Sequence, residues 1–594
     1  MDLPHRLASN LRLVGAFGRA APGLLKALPA RGLTTADVIG SVAKRHPERP
    51  ALVTDHETVT YGELDARSNQ VARWAIGQGI DRGDVVGLLM GNRPDYVICW
   101  LGLAKIGAVT ALLNTHLVGV SLAHCIDVAS AGTLIVDAEL ADRWLGARDA
   151  LGSTPAVWAY DGVVNDASSF DEAVEDQSSA PLPSDVRQGL ATTDRLFYIY
   201  TSGTTGLPKA ANFSHQRFIA AAEGAKALTR LGADDRMYIA LPLYHSAGGV
   251  MALGGALVAG ATAVIAQKFS ASGFWDDCAT HRVTAFQYIG ELCRYLANSP
   301  PHPRERDHCI RICVGNGLRP DVWERFQQRF DIPRIIEFYG ATEGNVTLVN
   351  VDNKVGRVGR MPLLMRWAAG LHLVRYDVEA DQVARGPDGF CVEAGVDEVG
   401  EAIARITSTL PFEGYTDAAA TEDKVLRDVF RRGDAYFRTG DLLSRDADDW
   451  FTFVDRVGDT FRWKGENVAT SEVAEVLAGT SGVVDATAYG VTVGGYDGRA
   501  GMAALVVDDD LDMAELHASV TAQLPAYAQP LFVRIRPVLE TTSTFKHRKV
   551  DLVADGYDPA RVDEPLYFLD RDAAAYVALD QSLHAEIEAG SRRL

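Results

Sequence analysis

Residues 198–209 have the sequence YIYTSGTTGLPK, in which an aromatic and β-branched run passes directly into glycines and hydroxyl side chains. Tyr198–Tyr200 predicts a buried strand, because these residue types pack well on a pleated surface. After the strand, glycines let the backbone turn so that its N–H groups converge, and hydroxyls add further donors. Lys209 adds a positive charge. This composition predicts a phosphate loop, which consists of Thr201, Ser202, Gly203, Thr204, Thr205 and Gly206.

The spacing of the phosphate loop differs from that of a Walker A loop. A Walker A loop has the pattern G-x-x-x-x-G-K-[ST], in which the lysine directly follows the second glycine. Here Lys209 stands three positions after Gly206 and is followed by Ala210. The sequence therefore predicts a phosphate-binding loop of another class.

Outside this loop, strand and helix patterns alternate along the N-terminal part of the chain. Asp84–Met90 predicts a buried strand, Pro94–Ile106 a helix, and Ala108–Leu113 the next strand. Strands in this order form a parallel sheet whose faces are covered by the connecting helices. The predicted fold class is therefore α/β.

The length of 594 residues predicts at least two domains, because a single hydrophobic core stops growing well before that size. Residues 150–190 are polar and rich in Ser, Asp and Pro, so we expect a long surface connection there. A turn at Asp455–Gly458 precedes a smaller unit with its own helix and strands. The predicted division is a basic amphipathic segment at 1–35, a large domain at 36–457 and a small α+β lid at 458–594.

Charge and cysteine content limit the partners and the compartment. The formal net charge of -20 argues against general binding to nucleic acid, because phosphates would be repelled. A local group of donors can still bind a small anion. Seven cysteines without a C-x-x-C pair indicate reduced thiols, as in a cytoplasmic protein.

The N-terminal segment differs in charge from the rest of the chain. Between Leu3 and Gly32 there are five basic residues and no acidic residue, accompanied by leucines, Val14 and Phe17. A basic amphipathic helix can lie on an anionic membrane surface, which would place residues 1–33 on the inner face of the cell membrane. The alternative is a helix that packs on its own domain, and the sequence favours neither.

A second stretch, Ser246–Gln267, contains 22 residues without a charge, which is the length of a membrane span. Glycines interrupt it and dilute its hydrophobicity. We therefore expect a buried helix followed by a strand at Thr262–Ala266 rather than a transmembrane helix.

The phosphate loop resembles that of the adenylate-forming superfamily, which includes acyl-CoA synthetases, luciferases and peptide-synthetase adenylation domains. Other segments resemble the remaining motifs of this superfamily in the same order, namely Leu241–Gly249 (LPLYHSAGG), Gly315–Pro320 (GNGLRP), Glu337–Gly344 (EFYGATEG), Tyr436–Leu443 (YFRTGDLL), Asp455–Val468 and Leu539–Lys549. A finer resemblance to the fatty-acid transport protein and very-long-chain acyl-CoA synthetase branch is carried by Lys268–Phe274, Gln287–Leu296, Leu524–Ala528 and Thr541–His547. The resemblance implies the adenylate-forming fold, with helix-covered sheets in a large N-terminal domain and a mobile C-terminal lid.

The resemblance also implies ATP and Mg²⁺ and assigns the residues that bind them. Glu343 and Thr201 would hold Mg²⁺, a cation that prefers oxygen ligands, and Lys209 would draw charge toward the leaving pyrophosphate. Asp441 would accept hydrogen bonds from the ribose hydroxyls, with Arg456 as a nearby donor. The phosphate loop would bind ATP together with Gly315, Asn316, Gly317, Glu337, Phe338, Tyr339, Gly340 and Thr342, and Tyr339 would offer its ring to adenine.

Lys546 is the lysine that the resemblance assigns to the first half-reaction, where its ammonium would bridge the substrate carboxylate and the α-phosphate. The sequence departs from the usual pattern here, because Phe545 stands where a glycine usually precedes this lysine. Lys549 is the alternative, and the register favours Lys546.

The resemblance places coenzyme A, the co-substrate, at Lys464, Gly465 and Glu466. The hinge of the lid falls at Gly458, where the superfamily usually has Asp or Lys; glycine can absorb a large backbone change. His245 would gate the inner end of the tunnel for coenzyme A, and a packed histidine is the alternative at this position.

The predicted function is a long-chain or very-long-chain fatty acid:CoA ligase (AMP-forming), with a link to fatty-acid uptake. Such an enzyme converts a fatty acid and ATP into acyl-AMP and then transfers the acyl group to coenzyme A. Two alternatives stay open. One is a fatty acyl-AMP ligase that passes the acyl group to a carrier protein, and the other is a lipid-binding or transport protein.

Overall fold

The computed structural model of the chain describes residues 3–201, 207–378, 380–407, 410–464, 466–494, 496, 498–542, 547–592 and 594. Contacts divide the chain into two compact units. The first comprises Met1–Gly359 and Ile406–Val425, and the second comprises Arg360–Arg405 and Leu426–Leu594. These units do not coincide with the predicted boundary at residue 457, and the domain division at 35 and 457 stays a prediction.

One sheet of the first unit contains the strands on either side of the phosphate loop. In spatial order it runs through Ser168–Ser169, Ala156–Tyr160, Thr133–Asp137, Val85–Leu89, Val109–Leu112, Arg195–Thr201 and Lys209–Ser214. Neighbouring strands are parallel, except for the last pair. Val109–Leu112 is buried along its whole length, as expected for a parallel strand covered on both faces.

The surface connection predicted at residues 150–190 is wrong in part. Ala156–Tyr160 is a strand that pairs in parallel with Thr133–Asp137, and Phe170–Glu175 is a helix. The apolar run AVWAY is short and its flanks are polar, so the composition of the whole stretch obscures it. Its Trp158 contacts Trp74, with 5.2 Å between the ring centroids, which anchors this outer strand.

The other large sheet of the first unit carries the second group of motifs. In spatial order it runs through Thr347–Asn350, Ile335–Gly340, Ile312–Asn316, Ala285–Ile289, Arg236–Ile239, Thr262–Ile265, Pro50–Val53 and Thr58–Thr60. Its inner pairs are parallel, and the pairs at its two edges are antiparallel. The carboxyl ends of the parallel strands therefore meet at one edge, where ligands bind in open α/β sheets.

Helix Pro94–Ile106 is apolar on nearly every side and correspondingly buried, apart from Asp95. It belongs to a hydrophobic core that includes strand residues of both sheets. The other helices of the first unit are Leu3–Leu24, Thr35–Arg45, Tyr61–Gly77, Gly119–Val128, Ala141–Arg148, Phe170–Glu175, His215–Thr229, Leu253–Ala259, Phe274–Thr280, Gly290–Asn298, Pro320–Phe330 and Ala418–Asp423.

The second unit combines antiparallel sheets with a few helices. One sheet runs through Trp450–Arg456, Ala435–Arg445, Val399–Arg405 and Leu371–Val374, and a C-terminal sheet through Val483–Val491, Ala500–Val507, Phe532–Ile535, Leu566–Asp570 and Ala575–Ala578. A hairpin pairs Phe461–Trp463 with Glu466–Val468. The helices are Leu363–Ala369, Thr470–Ala478, Met513–Gln523, Val550–Asp555 and Gln581–Glu588. The predicted α/β fold with a smaller α+β C-terminal part is confirmed.

The uncharged stretch after Ser246 lies inside the first unit. It forms a π-helical turn at Ser246–Ala252, the helix Leu253–Ala259 and the buried strand Thr262–Ile265, so the predicted helix and strand are present. Within the described parts of the chain, every helix is too short or too polar to cross a membrane.

The N-terminal helix Leu3–Leu24 packs on helix His215–Thr229. Its inner face contributes the buried residues Ser9, Leu13, Ala16 and Ala20, while Leu11, Val14 and Phe17 on its outer face are exposed. The packing alternative is therefore realised, yet an apolar face remains open to solvent.

Candidate active site

The phosphate loop connects two antiparallel neighbours, the strands Arg195–Thr201 and Lys209–Ser214. Thr201 and Lys209 pair across these strands, so the loop starts and ends at adjacent points of the sheet. Nε2 of His124 contacts the carbonyl oxygen of Pro208 at 3.1 Å, next to the end of the loop. The predicted loop residues Ser202–Gly206 lie outside the described residues.

Tyr415 connects three of the predicted site residues. Its hydroxyl donates a hydrogen bond to Oε1 of Glu343 at 2.7 Å and is also hydrogen-bonded to Thr201. Nζ of Lys209 lies 5.7 Å from the centroid of its ring, which is a cation–π contact. Burial, and next the charge of Glu343, raise the pKa of Tyr415 far above its ordinary value. The phenol therefore keeps its proton and remains a donor to the carboxylate.

The segment that carries Tyr415 is held by the strand that follows the phosphate loop. The backbone N–H of Asn212 donates to the carbonyl of Gly414 at 3.0 Å, and its side-chain amide donates to the carbonyls of Glu413 and Tyr415. The N–H of Ser214 donates to the Glu413 carboxylate at 2.9 Å. Sequence reasoning missed this segment. Asn212 and Ser214, two residues apart on one strand face, indicate that polar partners exist but do not say which residues supply them.

Arg217 fixes the backbone around Glu343 and was also missed. Its guanidinium donates to the carbonyl oxygens of Thr342, Glu343 at 2.8 Å and Gly344 at 2.7 Å. Burial lowers the pKa of Arg217, while the carboxylates of Glu413 and Glu343 act in the opposite direction. One rigid side chain thus satisfies three consecutive carbonyls and holds the loop that presents the Glu343 carboxylate.

The segment Leu241–Gly249 reaches the same cluster through Ser246, whose hydroxyl lies 2.9 Å from that of Thr342. A Cβ on Gly249 would lie 2.1 Å from the carbonyl oxygen of Leu243, so the turn can pack here only without a side chain. π-helical turns of this kind occur frequently at functional sites. His245 is half-buried just before the turn, with its ring 4.7 Å from that of Tyr244. Its role as a gate stays a prediction.

The predicted adenine-binding residues stand at the carboxyl ends of adjacent strands. Gly315 pairs with Tyr288 on one side and Glu337 on the other. A Cβ on Gly315 would lie 2.2 Å from the carbonyl oxygen of Tyr288, so glycine permits this close approach. Asn316 is exposed, whereas Tyr339 is only 8% exposed. Stacking of adenine on the Tyr339 ring stays a prediction. The same strand end also contains Phe338 and Gly340.

Glu337 faces the interior and clamps the turn beside it. Its carboxyl accepts hydrogen bonds from the hydroxyl of Tyr288 at 2.6 Å and from the backbone N–H groups of Gly317 and Leu318. Burial raises the pKa of Glu337 to about 8, although these hydrogen bonds oppose the shift. Glu337 is only 2% exposed and holds residues 317 and 318 in place. Its part in binding ATP stays a prediction.

The second unit contains the pair predicted for the ribose. Asp441 and Arg456 are opposite each other on neighbouring antiparallel strands, with Nε of Arg456 3.7 Å from Oδ1 of Asp441. The side chain of Arg456 is 40% exposed and that of Asp441 is 17% exposed. The adjacent Asp455 is buried and accepts a hydrogen bond from the N–H of Thr470 at 2.6 Å. It anchors the chain next to Arg456.

Residues 40–384 match the AMP-binding enzyme family, and residues 472–546 match the AMP-binding enzyme C-terminal domain. The chain belongs to the AMP-binding enzyme family. Long-chain fatty acid transport protein 6 of Mus musculus is 42% identical over 562 residues, covering 93% of this chain and 90% of that protein. Long-chain fatty acid transport protein 2 of Rattus norvegicus is 42% identical over 554 residues, covering 92% and 89%.

A solved structure has the same fold. ATP-bound MatB from Rhodopseudomonas palustris superposes with a TM-score of 0.73 at 22% identity, covering 88% of this chain and 99% of that chain. The AMP-binding fold and the fatty-acid transport protein branch, both expected from the motifs, are confirmed.

In this AMP-binding enzyme, Lys549 is tied into its own unit. Its Nζ lies 3.2 Å from Oδ2 of Asp459 and donates to Oγ1 of Thr470 at 2.8 Å. These partners give Lys549 a structural task beside Gly458. Lys546 lies outside the described residues. The assignment of Lys546 as the reactive lysine stays a prediction. The contacts of Lys549 with Asp459 and Thr470 support it, because they occupy the alternative lysine.

The hinge residue predicted from the family, Gly458, has φ +91°, and no atom lies within 4 Å of where a Cβ would be. The conformation, and not the available space, therefore favours glycine. Among the residues predicted to face coenzyme A, Lys464 donates to the backbone oxygen of Leu594 at 2.6 Å and Glu466 is exposed. Gly465 lies outside the described residues.

The donors of the first unit fit Mg²⁺ in the manner expected of an AMP-binding enzyme. Within the described residues, no group of three His, Cys, Asp or Glu side chains could hold a metal ion by itself. Mg²⁺ is commonly bound by one or two carboxylates together with substrate phosphates. Glu343 supplies one carboxylate and Thr201 a hydroxyl, and both meet at Tyr415. Such a set would hold the ion together with the phosphates of ATP.

Proposed function

We propose that this AMP-binding enzyme is a long-chain acyl-CoA synthetase, which activates a fatty acid with ATP and joins it to coenzyme A. The supporting observation is the convergence of Lys209, Thr201 and Glu343 on Tyr415. Both substrates of the first step are anions, so that step needs positioned cationic and metal-binding groups more than covalent chemistry. The relatives named long-chain fatty acid transport proteins support a long-chain fatty acid as the substrate and a link to uptake.

In the first half-reaction, a carboxylate oxygen of the fatty acid attacks the α-phosphorus of ATP. The new O–P bond gives acyl-AMP, the bond from the α-phosphorus to the bridging oxygen breaks, and pyrophosphate leaves with the electron pair. Lys209 and the phosphate loop bind the phosphates, and Lys546 bridges the carboxylate and the α-phosphate. Mg²⁺ held by Glu343 and Thr201 would withdraw negative charge from the phosphates. Tyr415 and Arg217 keep Glu343 in position.

In the second half-reaction, the thiolate sulfur of coenzyme A attacks the acyl carbonyl carbon. A C–S bond forms, the C–O bond to the phosphate of AMP breaks, and AMP leaves; the thiol proton passes to solvent. Gly458 would be the hinge between the two half-reactions, and Lys464, Gly465 and Glu466 would face coenzyme A, with His245 at the inner end.

Nucleotide specificity would come from groups outside the reacting atoms. Asp441 would accept hydrogen bonds from the ribose, with Arg456 beside it. The backbone of residues 315–317, held by Glu337, would approach the adenine edge. Asn316 and Thr342 would add polar contacts.

Release of pyrophosphate by the purified protein tests this proposal. The assay uses ATP, Mg²⁺ and fatty acids of graded length, with and without coenzyme A, and Glu343→Gln as the inactive control. We expect multiple turnovers only when a long-chain acid and coenzyme A are both present. A single burst that is independent of coenzyme A would instead identify a ligase that serves a carrier protein. No release with any acid would leave a lipid-binding or transport protein.

We also place the enzyme in the cytoplasm, at the inner face of the cell membrane. The N-terminal helix supports this placement, because Leu11, Val14 and Phe17 are exposed on a segment that carries no acidic residue between Leu3 and Gly32. Co-sedimentation with anionic vesicles, compared with a protein lacking residues 1–33, tests it. Equal sedimentation of both proteins would contradict a role for this segment.

A further inference from the structure

A pocket of about 260 Å³ lies between the N-terminal segment and the end of helix His215–Thr229, within the first unit. Basic side chains from both segments line it, namely Arg19, Lys26, Lys226 and Arg230. Glu223 is the acidic residue in its wall. The pocket is therefore strongly positive, although the protein as a whole carries a net charge of -20.

The acidic residue in the wall is already engaged. The Glu223 side chain is 3% exposed, and its carboxylate lies 2.6 Å from Nζ of Lys26 and 3.3 Å from Nζ of Lys226. Gly23 permits this arrangement, since a Cβ there would lie 2.3 Å from the carboxylate. Within the described residues, Arg19 and Arg230 have no acidic side chain at ion-pair distance.

Helix capping accounts for one hydrogen bond of Arg19 but not for the guanidinium of Arg230. Cations are favoured at a helix C-terminus, but Arg311 already donates to the carbonyls of Thr229 and Arg230, at 2.9 Å and 3.1 Å. Arg311 is itself neutralised by Asp235 at 2.8 Å. Arg19 donates to the carbonyl of Ala227, in the last turn of the same helix, at 3.3 Å. Arg311 and Arg19 therefore supply donors to the carbonyls at the end of this helix, and capping does not explain the position of the Arg230 guanidinium.

The positive charges repel one another at this place. Burial, and next the charge of Arg230, lower the pKa of Arg19. Burial also lowers the pKa of Arg334, and Arg230 and Arg19 are the next contributors. An anion bound among these groups would relieve the repulsion, because opposite charges at short range favour the charged forms.

We infer that this pocket binds a phosphate group, supplied by the headgroup of an anionic phospholipid. Arginine and lysine side chains arranged around a small cavity suit a phosphate, since guanidinium groups bind its oxygens in pairs. Leu24, Leu25 and Leu28 are exposed on either side of Lys26, where they can enter a lipid surface. Phosphate binding is independent of the proposed acyl-CoA chemistry; only the lipid source rests on the proposed membrane location.

The first test compares two double variants that lose the same charge. Arg19→Gln with Arg230→Gln alters the pocket, and Arg143→Gln with Arg432→Gln alters exposed arginines outside both the pocket and the N-terminal segment. Thermal unfolding is followed against inorganic phosphate at constant ionic strength. We expect phosphate to raise the melting temperature of the native protein and the control variant more than that of the pocket variant. If phosphate bound at the phosphate loop instead, it would stabilise the native protein and both variants equally. That result would contradict phosphate binding in the pocket.

The second test assigns the source of the phosphate. Flotation with phosphatidylcholine vesicles that contain phosphatidic acid should show about tenfold weaker binding by the pocket variant than by the control variant. If both variants bound the vesicles equally weakly, the vesicles would attract the positive charge of the protein in general. That result would contradict binding of a lipid headgroup in the pocket. The pocket substitutions could reduce the stabilisation by phosphate and leave vesicle binding unchanged. The pocket would then bind a soluble phosphate compound and not a lipid headgroup. Pyrophosphate release without vesicles should be equal in all three proteins, so failure of the proposed enzyme activity is observed separately.

Discussion

The hydroxyl of Tyr415 donates a hydrogen bond to the carboxylate of Glu343 at 2.7 Å, although the two residues are 72 positions apart in the chain. The face of the same ring contacts the ammonium of Lys209. Within the described residues, Lys209 and Glu343 form no direct ion pair. A neutral phenol therefore separates a cation from an anion that would otherwise neutralise each other. In the proposed ATP complex, Lys209 would be available for the phosphates and Glu343 for Mg²⁺.

Removal of this hydroxyl should slow adenylation without unfolding the protein. Tyr415→Phe keeps the ring against Lys209 but frees the Glu343 carboxylate. A hydrogen bond to a charged group contributes about 1.5–3 kcal/mol, so we expect kcat/KM for pyrophosphate release to fall about 10- to 100-fold. The Mg²⁺ concentration needed for half-maximal rate should rise as well. Steady-state kinetics over a series of Mg²⁺ concentrations measure both effects.

Tyr238→Phe is a matched control, because the hydroxyl of Tyr238 also donates to a carboxylate, that of Asp277, at 2.7 Å. It should lower stability without changing the dependence on Mg²⁺. If both variants lose activity to the same extent, the Tyr415–Glu343 contact has no special part in adenylation.

Glu337 should make the stability of the first unit depend on pH. Its pKa is about 8 in the folded protein, above the ordinary value of 4.5. The folded state therefore binds this proton more tightly than the unfolded state. The corresponding stability is fully present below pH 4.5 and is lost as the pH rises through 8, with a slope of at most about 1.4 kcal/mol per pH unit.

Comparison with Glu337→Gln isolates this contribution. The amide can accept from Gly317 and Leu318 as the carboxyl does, and the hydroxyl of Tyr288 can turn to the carbonyl of Ile336, 3.2 Å away. Urea unfolding at several pH values between 5 and 9 measures the free energy of unfolding of both proteins. As the pH rises, this free energy should fall more for the native protein than for the variant. A constant difference across this range would contradict a raised pKa at Glu337.

Sequence patterns predicted the parts of the site that depend on local structure. The strand before the phosphate loop, helix Pro94–Ile106 and the strands around it follow from apolar runs of suitable length. Strand Ala156–Tyr160 was missed because its five residues are hidden among polar neighbours. Here packing against Trp74 decides the structure more than the composition of the segment.

The contacts between distant segments were not predictable in the same way. Tyr415 and Arg217 belong to no motif, and their partners are fixed only when the fold brings the segments together. For Glu337, the motif indicates that the residue matters, but only the strand geometry shows its side chain in the core. Similarly, the sequence register favours Lys546 over Lys549 as the reactive lysine, and the contacts of Lys549 to Asp459 and Thr470 appear only in the structure. The choice between the two lysines stays a prediction.

Gly458→Ala should affect the second half-reaction more than the first. Its φ of +91° is a conformation that L-residues avoid, while a Cβ would meet no atom. The substitution therefore strains this conformation by roughly 1–2 kcal/mol and shifts the hinge equilibrium by about 5- to 30-fold. Single-turnover assays of acyl-AMP formation and of transfer to coenzyme A should show a changed ratio of the two rates.

Gly433→Ala is the control for this effect, since Gly433 has φ +80° and equally open surroundings in the same unit. It should cost a similar amount of stability and leave the ratio of the two rates unchanged. A change of ratio in both variants would show that backbone strain anywhere in this unit produces the effect, which would remove the hinge assignment.

Lys546→Ala and Lys549→Ala should separate catalysis from structure. Loss of the Lys546 ammonium removes charge stabilisation in the first transition state, so we expect adenylation to fall at least about 100-fold. Transfer of the acyl group from supplied acyl-AMP to coenzyme A should continue. Lys549→Ala loses the partly exposed ion pair with Asp459 and the hydrogen bond to the buried Thr470, contacts that together contribute about 1 kcal/mol. It should lower the melting temperature while both half-reactions proceed.

Pyrophosphate release and thioester formation, measured separately for each variant, give four rates. If Lys549→Ala abolished adenylation and Lys546→Ala did not, the two assignments would be reversed. Equal loss of both half-reactions in Lys546→Ala would mean that this lysine maintains the structure of the unit and does not act on the α-phosphate.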